Sequence, residues 1–69
     1  MKIILERYEY GWGAWFYGVG RMPEDVEIPL PWSPQAYLQT VAKDLNNRFP
    51  HARVYCRENG QVTEVPRLQ

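Results

Sequence analysis

His51 and Cys56 are the only histidine and the only cysteine of this 69-residue chain, and they stand five positions apart. A thiol beside an imidazole is what nucleophilic catalysis by cysteine requires, because the ring accepts the thiol proton and stabilises the thiolate. His51 directly follows Pro50, however, and Cys56 lies within a run of strand character. Those positions fit a solvated loop imidazole and a small core hydrophobe better than a reacting pair. Two potential ligands are too few for zinc, and no CxxC or HxxxH spacing occurs. Glu24, Asp25 and Glu27 gather carboxylates beside Pro23, but without a second cluster they read as a solvated turn. Gly11, Gly13, Gly18 and Gly20 lack the third glycine of a dinucleotide loop, and no GK[ST] follows them. Turns and close strand packing account for those glycines. The expectation is a chain that is not an enzyme and needs no cofactor or metal.

Residues suited to recognition are more abundant. Three Trp, five Tyr and two Phe are more ring area than so short a chain can bury, since a domain of this size removes only roughly 60% of its unfolded surface from water. Trp15 and Tyr17 alternate on one strand with Arg7 and Arg21 nearby and Trp12 at the expected hairpin tip. Trp, Tyr and Arg dominate interface energies because they bury large areas at low entropic cost. Glu24, Asp25 and Glu27 would add an acidic edge able to meet a basic target. A second strip, Arg53, Tyr55 and Arg57, alternates on a later strand with Arg48 and His51 just upstream, an arrangement able to contact phosphates and stack on bases. Glu58 and Glu64 lie beside that strip and are expected to pair with its charge.

The elements that position these side chains can be read in order. Residues 2–10 and 14–22 have strand composition around Gly11-Trp12-Gly13, which predicts a hairpin pairing Tyr10 with Ala14, Tyr8 with Phe16 and Leu5 with Val19. In that register Ile4, Tyr8, Ala14 and Phe16 lie under a helix, while Ile3, Leu5, Arg7, Trp15 and Tyr17 face outward; the alternative is the inverse, with Ile3, Leu5 and Val19 in the core and Tyr8, Tyr10 and Phe16 left outside. Met22–Asp25 reads as a turn, and Val26, Ile28 and Leu30 as a short strand that Pro29 and Pro31 confine to an edge. From Trp32 to Pro50, Ser33 and Pro34 suit a helix start, Trp32 and Tyr37 the positions of a hydrophobic staple, and Leu38, Val41, Ala42, Leu45 and Phe49 an apolar stripe. Asn59-Gly60 predicts a type I′ hairpin pairing Val54 with Val65 and Cys56 with Thr63. The whole is α+β, β-β-(β)-α-β-β: one small antiparallel sheet of four to five strands with one amphipathic helix on one face, in a single domain over 1–69.

Eight basic and eight acidic side chains cancel. Residues 1–31 carry −2 and residues 32–69 carry +2, a mild asymmetry that disfavours binding driven by phosphate neutralisation. Glu6 and Arg7 interrupt the apolar start too early for a signal peptide or a membrane span, and a lone cysteine fits a reducing compartment, so a cytoplasmic location is expected.

The order of hairpin, third strand and helix resembles the small DNA-binding domains at the N-termini of phage-type tyrosine recombinases. Those domains are generally basic on the sheet, whereas this chain is neutral and carries Glu6, Glu9, Glu24, Asp25 and Glu27. The helix followed by an Asn-Gly hairpin is also similar to small bacterial domains of unassigned role. In type, a catalytically empty domain without disulfides and with surplus surface aromatics is similar to small phage proteins that block host machinery, including anti-CRISPR inhibitors. The leading expectation is therefore a non-enzymatic protein-binding protein, a phage or mobile-element inhibitor occluding a larger host protein or complex, with a homodimer through the same face as a complication. The alternative is a small nucleic-acid-binding module using Arg53, Tyr55 and Arg57.

Overall fold

Two short turns and one crossover set the architecture. In the computed structural model, which describes residues 1–18 and 27–67, the elements are β1 (Lys2–Tyr8), β2 (Gly11–Tyr17), β3 (Glu27–Pro29), α1 (Leu38–Arg48), β4 (Arg53–Glu58) and β5 (Gln61–Glu64). They build one five-stranded sheet in the order β3-β2-β1-β4-β5. Element order and α+β class are those expected. The sheet is mixed rather than antiparallel, because β1 pairs parallel with β4 while the other neighbours are antiparallel. The reason is the crossover: α1 returns the chain to the end where β1 began, so β4 runs alongside β1 in the same direction.

The first hairpin turns earlier than Gly11-Trp12-Gly13. Tyr8 is paired with Gly11, so Glu9 and Tyr10 alone form the loop, and Tyr8 and Tyr10 stack with ring centroids 5.1 Å apart. Gly11 leaves the turn at φ 146°, a conformation that disfavours a side chain. This register differs from the expected one by an odd number of residues, which exchanges the faces of β1. Ile3 opposes Phe16 and Leu5 opposes Ala14 on the helix side, and Ile4 opposes Trp15 on the other. The expected faces of β2 hold, with Ala14 and Phe16 buried. Trp12 is not at a tip: it is 2% exposed and belongs to the core.

The helix is shorter than its sequence pattern. Ser33 does not cap it; the Ala36 N–H donates to the Ser33 carbonyl at 3.0 Å, closing a turn whose second position suits Pro34. Tyr37, at φ −72° and ψ 145°, is the extended residue before Leu38. The delay follows from how the chain leaves β3. The Leu30 N–H bonds the Trp12 carbonyl at 2.9 Å, and a Cβ at Gly11 would stand 3.1 Å from the Trp32 carbonyl oxygen. Held against β2, the chain must cross the sheet before it can coil. No Trp32–Tyr37 staple results: Tyr37 is exposed, and the Trp32 indole N–H donates to Asp44 Oδ2 at 3.4 Å.

Val41, Ala42 and Leu45 of α1 cover Ile3, Leu5, Ala14, Phe16, Val54 and Cys56. Phe49, just past the helix, meets Phe16 edge-on at 5.4 Å. Each large aliphatic side chain buried here contributes roughly 1.5–3 kcal/mol, so this layer supplies most of the stabilisation. The second hairpin forms as expected: Asn59 and Gly60 have φ 51° and 79°, and Cys56 opposes Thr63. β3 takes the predicted edge, while the Met22–Asp25 turn lies outside the described residues. Among the described residues, no helix is long and apolar enough to cross a membrane.

Candidate binding face

Strand alternation sends Lys2, Ile4, Glu6 and Tyr8 to the side of β1 away from α1. Since β1 lies between β2 and β4, each of the first three has neighbours on both sides. Lys2 stands between Tyr17 and Arg53, Ile4 between Trp15 and Tyr55, and Glu6 between Gly13 and Arg57. The Trp15–Tyr17 strip and the Arg53–Tyr55–Arg57 strip, distant in sequence, therefore form one surface. Trp15, Tyr17, Tyr55 and Arg57 are half-buried on it and Arg53 is exposed. Ile4 is only 5% exposed, although the helix core lies on the opposite side. Its register neighbours Trp15 and Tyr55 are the side chains placed to shield it.

Glu6 organises this face. Its Oε1 accepts hydrogen bonds from the Tyr8 hydroxyl at 2.9 Å and the Trp15 indole N–H at 3.2 Å, and Arg57 Nη1 reaches the same oxygen at 3.4 Å. The Arg57 guanidinium also lies 5.9 Å from the Trp15 ring centroid, and Lys2 Nζ lies 4.9 Å from that of Tyr55. Cations over the negative faces of aromatic rings add attraction and fix the ring planes. Arg57 thus pairs with Glu6, not with Glu58 or Glu64 as the hairpin pattern implied.

The remaining candidates are elsewhere. Arg7 belongs to the helix side: its guanidinium covers the Trp12 ring at 4.6 Å and Nη2 donates to the Ala36 carbonyl at 3.3 Å. Arg7 and Trp12 close one end of the core and do not join Trp15 and Tyr17. Arg21, Glu24 and Asp25 lie outside the described residues; Glu27 begins β3 opposite Trp15. Arg48 pairs with Asp44 one helical turn back at 3.4 Å. His51 is exposed ahead of β4, whereas Cys56 is buried and its Sγ donates to Glu58 Oε1 at 4.0 Å. Burial pushes the Cys56 thiol above its ordinary pKa, and the Glu58 carboxylate adds to the rise. Among the described residues, no group of three His, Cys, Asp or Glu side chains has the arrangement of a metal site. Ile4 and Tyr8, expected under the helix, belong to this opposite face because the β1 register differs, and the pairing of β1 with β4 sets Lys2, Ile4 and Glu6 between the two aromatic strips. No family model, curated protein or solved structure matches the chain.

Proposed function

We propose that this chain is a non-enzymatic docking domain that binds a larger protein through the helix-free face of its sheet. The observation that carries the reading is the continuous surface of Trp15, Tyr17, Tyr55, Lys2, Arg53 and Arg57, of which Trp15 and Arg57 are held in place by Glu6 before any partner arrives. Rings and guanidinium groups fixed in advance lose little freedom on binding, so more of the contact energy appears as affinity. Steric occlusion of a host complex by a phage or mobile-element inhibitor is the finer form of the proposal. In that form the face covers a surface its target needs.

Nucleic acid is the second reading, favoured by the exposed Arg53 beside Lys2, with Tyr17 on the far side of Lys2. Lys2 over Tyr55 and Arg57 over Trp15 occupy ring faces on which bases would stack, which favours the protein reading. The test is affinity capture from nuclease-treated extract with wild-type chain and a Trp15→Ala/Tyr55→Ala variant whose fold is checked by circular dichroism. A discrete protein retained by wild type and lost by the variant is expected. Retention by both would remove this face from the proposal. Capture of nucleic acid before nuclease treatment, weakening steeply with salt and with Arg53→Ala, would promote the second reading.

A further inference from the structure

The two edges of the sheet are protected differently. β3 spans three residues, includes Pro29 and is followed by Pro31, so it offers little to a further strand. β5 has no such residue within it: Gln61–Glu64 is exposed throughout and contains no proline, lysine or arginine, although Pro66 follows it as Pro31 follows β3. The hairpin determines which of its backbone groups are free. A two-residue turn makes Glu58–Gln61 the first hydrogen-bonded pair, and antiparallel alternation then leaves the N–H and C=O of Val62 and Glu64 pointing away from β4. The Val65 N–H, bonded to the Val54 carbonyl at 2.8 Å, obeys the same alternation.

Between α1 and β5 lies a cleft of about 380 Å³ whose lining includes Leu38, Cys56, Thr63 and Val65 together with Glu58 and Glu64. The ion pairs among the described residues are Asp44–Arg48 and Glu6–Arg57, so no cation of the described residues is paired with Glu58 or Glu64. We infer that the β5 edge receives an extended segment of a partner protein by strand addition, and that this segment reads basic-apolar-apolar-basic. A residue opposite Gln61 has Gln61 between it and Glu58, a gap that a long cationic side chain spans, residues opposite Val62 and Thr63 meet apolar surface and the cleft, and a residue opposite Glu64 meets its carboxylate. A second copy of this chain fits poorly, because self-pairing of β5 gathers Glu58 and Glu64 of both copies at one seam with no cation on either β5. The Val62 and Glu64 side chains, opposite Arg57 and Tyr55, border the helix-free face, but the contacts inferred are to the outward backbone of β5 and to the two carboxylates, so the inference stands without the docking role proposed for that face.

The probe is the capped peptide acetyl-Ser-Lys-Val-Leu-Lys-Ser-amide, which keeps its charge pattern in either strand direction, titrated to millimolar concentration into ¹⁵N-labelled protein. The Val62 and Glu64 amide signals are expected to shift and to gain protection from hydrogen exchange. The same peptide with glutamate in place of lysine is expected to bind at least about tenfold more weakly. Val62→Pro deletes an outward donor while sparing the ladder to β4, and is expected to weaken the lysine peptide by about tenfold. Should that variant lose its fold, Glu58→Lys/Glu64→Lys tests the same point by reversing the order of the two peptides. Trp15→Ala, on β2 with β1 and β4 between it and β5, leaves the titration unchanged, which separates failure here from failure of the docking face. Absent shifts at Val62 and Glu64, equal binding of both peptides, or full binding by folded Val62→Pro would overturn the inference. So would a dimer in light scattering that Val62→Pro dissolves, which would seat a second copy on the edge.

Discussion

The two faces of this sheet hold their side chains by different means. Under α1, Ile3, Leu5, Val41 and Leu45 are fully buried and interlock without a polar contribution. On the opposite face Ile4 is nearly as buried, but its register neighbours are the aromatic rings of Trp15 and Tyr55, each with a cation against it, and the Trp15 indole N–H donates to the Glu6 carboxylate. A helix-covered layer collapses poorly around a defect, because backbone elements fix its walls. A layer roofed by half-exposed side chains can repack. The first arrangement provides stability, and the second keeps an ordered surface available for recognition.

The sharpest way to break this contrast is a pair of truncations at adjacent positions. Leu5→Ala is expected to cost about 3–5 kcal/mol, the upper part of the range for buried aliphatics, since α1 cannot follow the missing atoms. Ile4→Ala is expected to cost about 2–3 kcal/mol, because Trp15 and Tyr55 can settle into the space. Denaturant midpoints with unchanged slopes would measure both. Equal losses would make the helix-free face a second rigid core and weaken the case that it is a docking surface.

A smaller effect sharpens the electrostatic half of the comparison. Glu6→Ala removes the acceptor for Tyr8, Trp15 and Arg57, but all three can turn to water. The side chains of Glu6 and Arg57 retain 25% and 31% of their accessibility, so solvent screening reduces the pair's value. A loss of about 1–2 kcal/mol is expected, with displacement of the Trp15 indole N–H resonance and little change at Trp12. A loss matching Leu5→Ala would mean that the Glu6 network holds the sheet together. An unmoved Trp15 resonance would mean that the network does not orient the ring.

The same division governs what could be read from the residues alone. The second hairpin was legible because Asn59-Gly60 permits few backbone solutions: both residues occupy positive φ, and the turn fixes the register to Val65. The first hairpin was not, because Gly11 and Gly13 around Trp12 resemble a loop while Glu9-Tyr10 carries no turn signature. The Ile3-Ile4-Leu5 run gave no alternation to correct it, having an apolar residue for either face. Burial of a large indole at Trp12 was the available clue, since a loop tip would leave it in water. The helix stripe was legible from Leu38 onward; its start was not, because Ser33-Pro34 serves a turn as well as a cap. The candidate face was visible only as two strips. Joining them depended on the parallel pairing of β1 with β4, a long-range contact with no local signature.

Cys56 provides the smallest test of the helix-side layer. Its thiol lies in a buried setting beside Glu58, and both features hold its pKa above the ordinary value of 9.0. The protonated thiol is therefore favoured in the folded state. Its contribution is intact below pH 9.0 and is lost as pH climbs through the higher folded value. Tyrosines and lysines also titrate in that window, so the informative quantity is the difference between wild type and Cys56→Ala. That difference is expected to be flat from pH 6 to pH 8 and to shift in favour of Cys56→Ala above about pH 9. Slow alkylation of the native thiol at pH 8, rising sharply in denaturant, is the companion readout. Fast native alkylation would mean that the cleft beside β5 opens far enough to bare the sulfur. The helix-side layer would then be loosest where the proposed partner strand docks, and the contrast between a rigid face and an adaptable one would have to be redrawn around that edge.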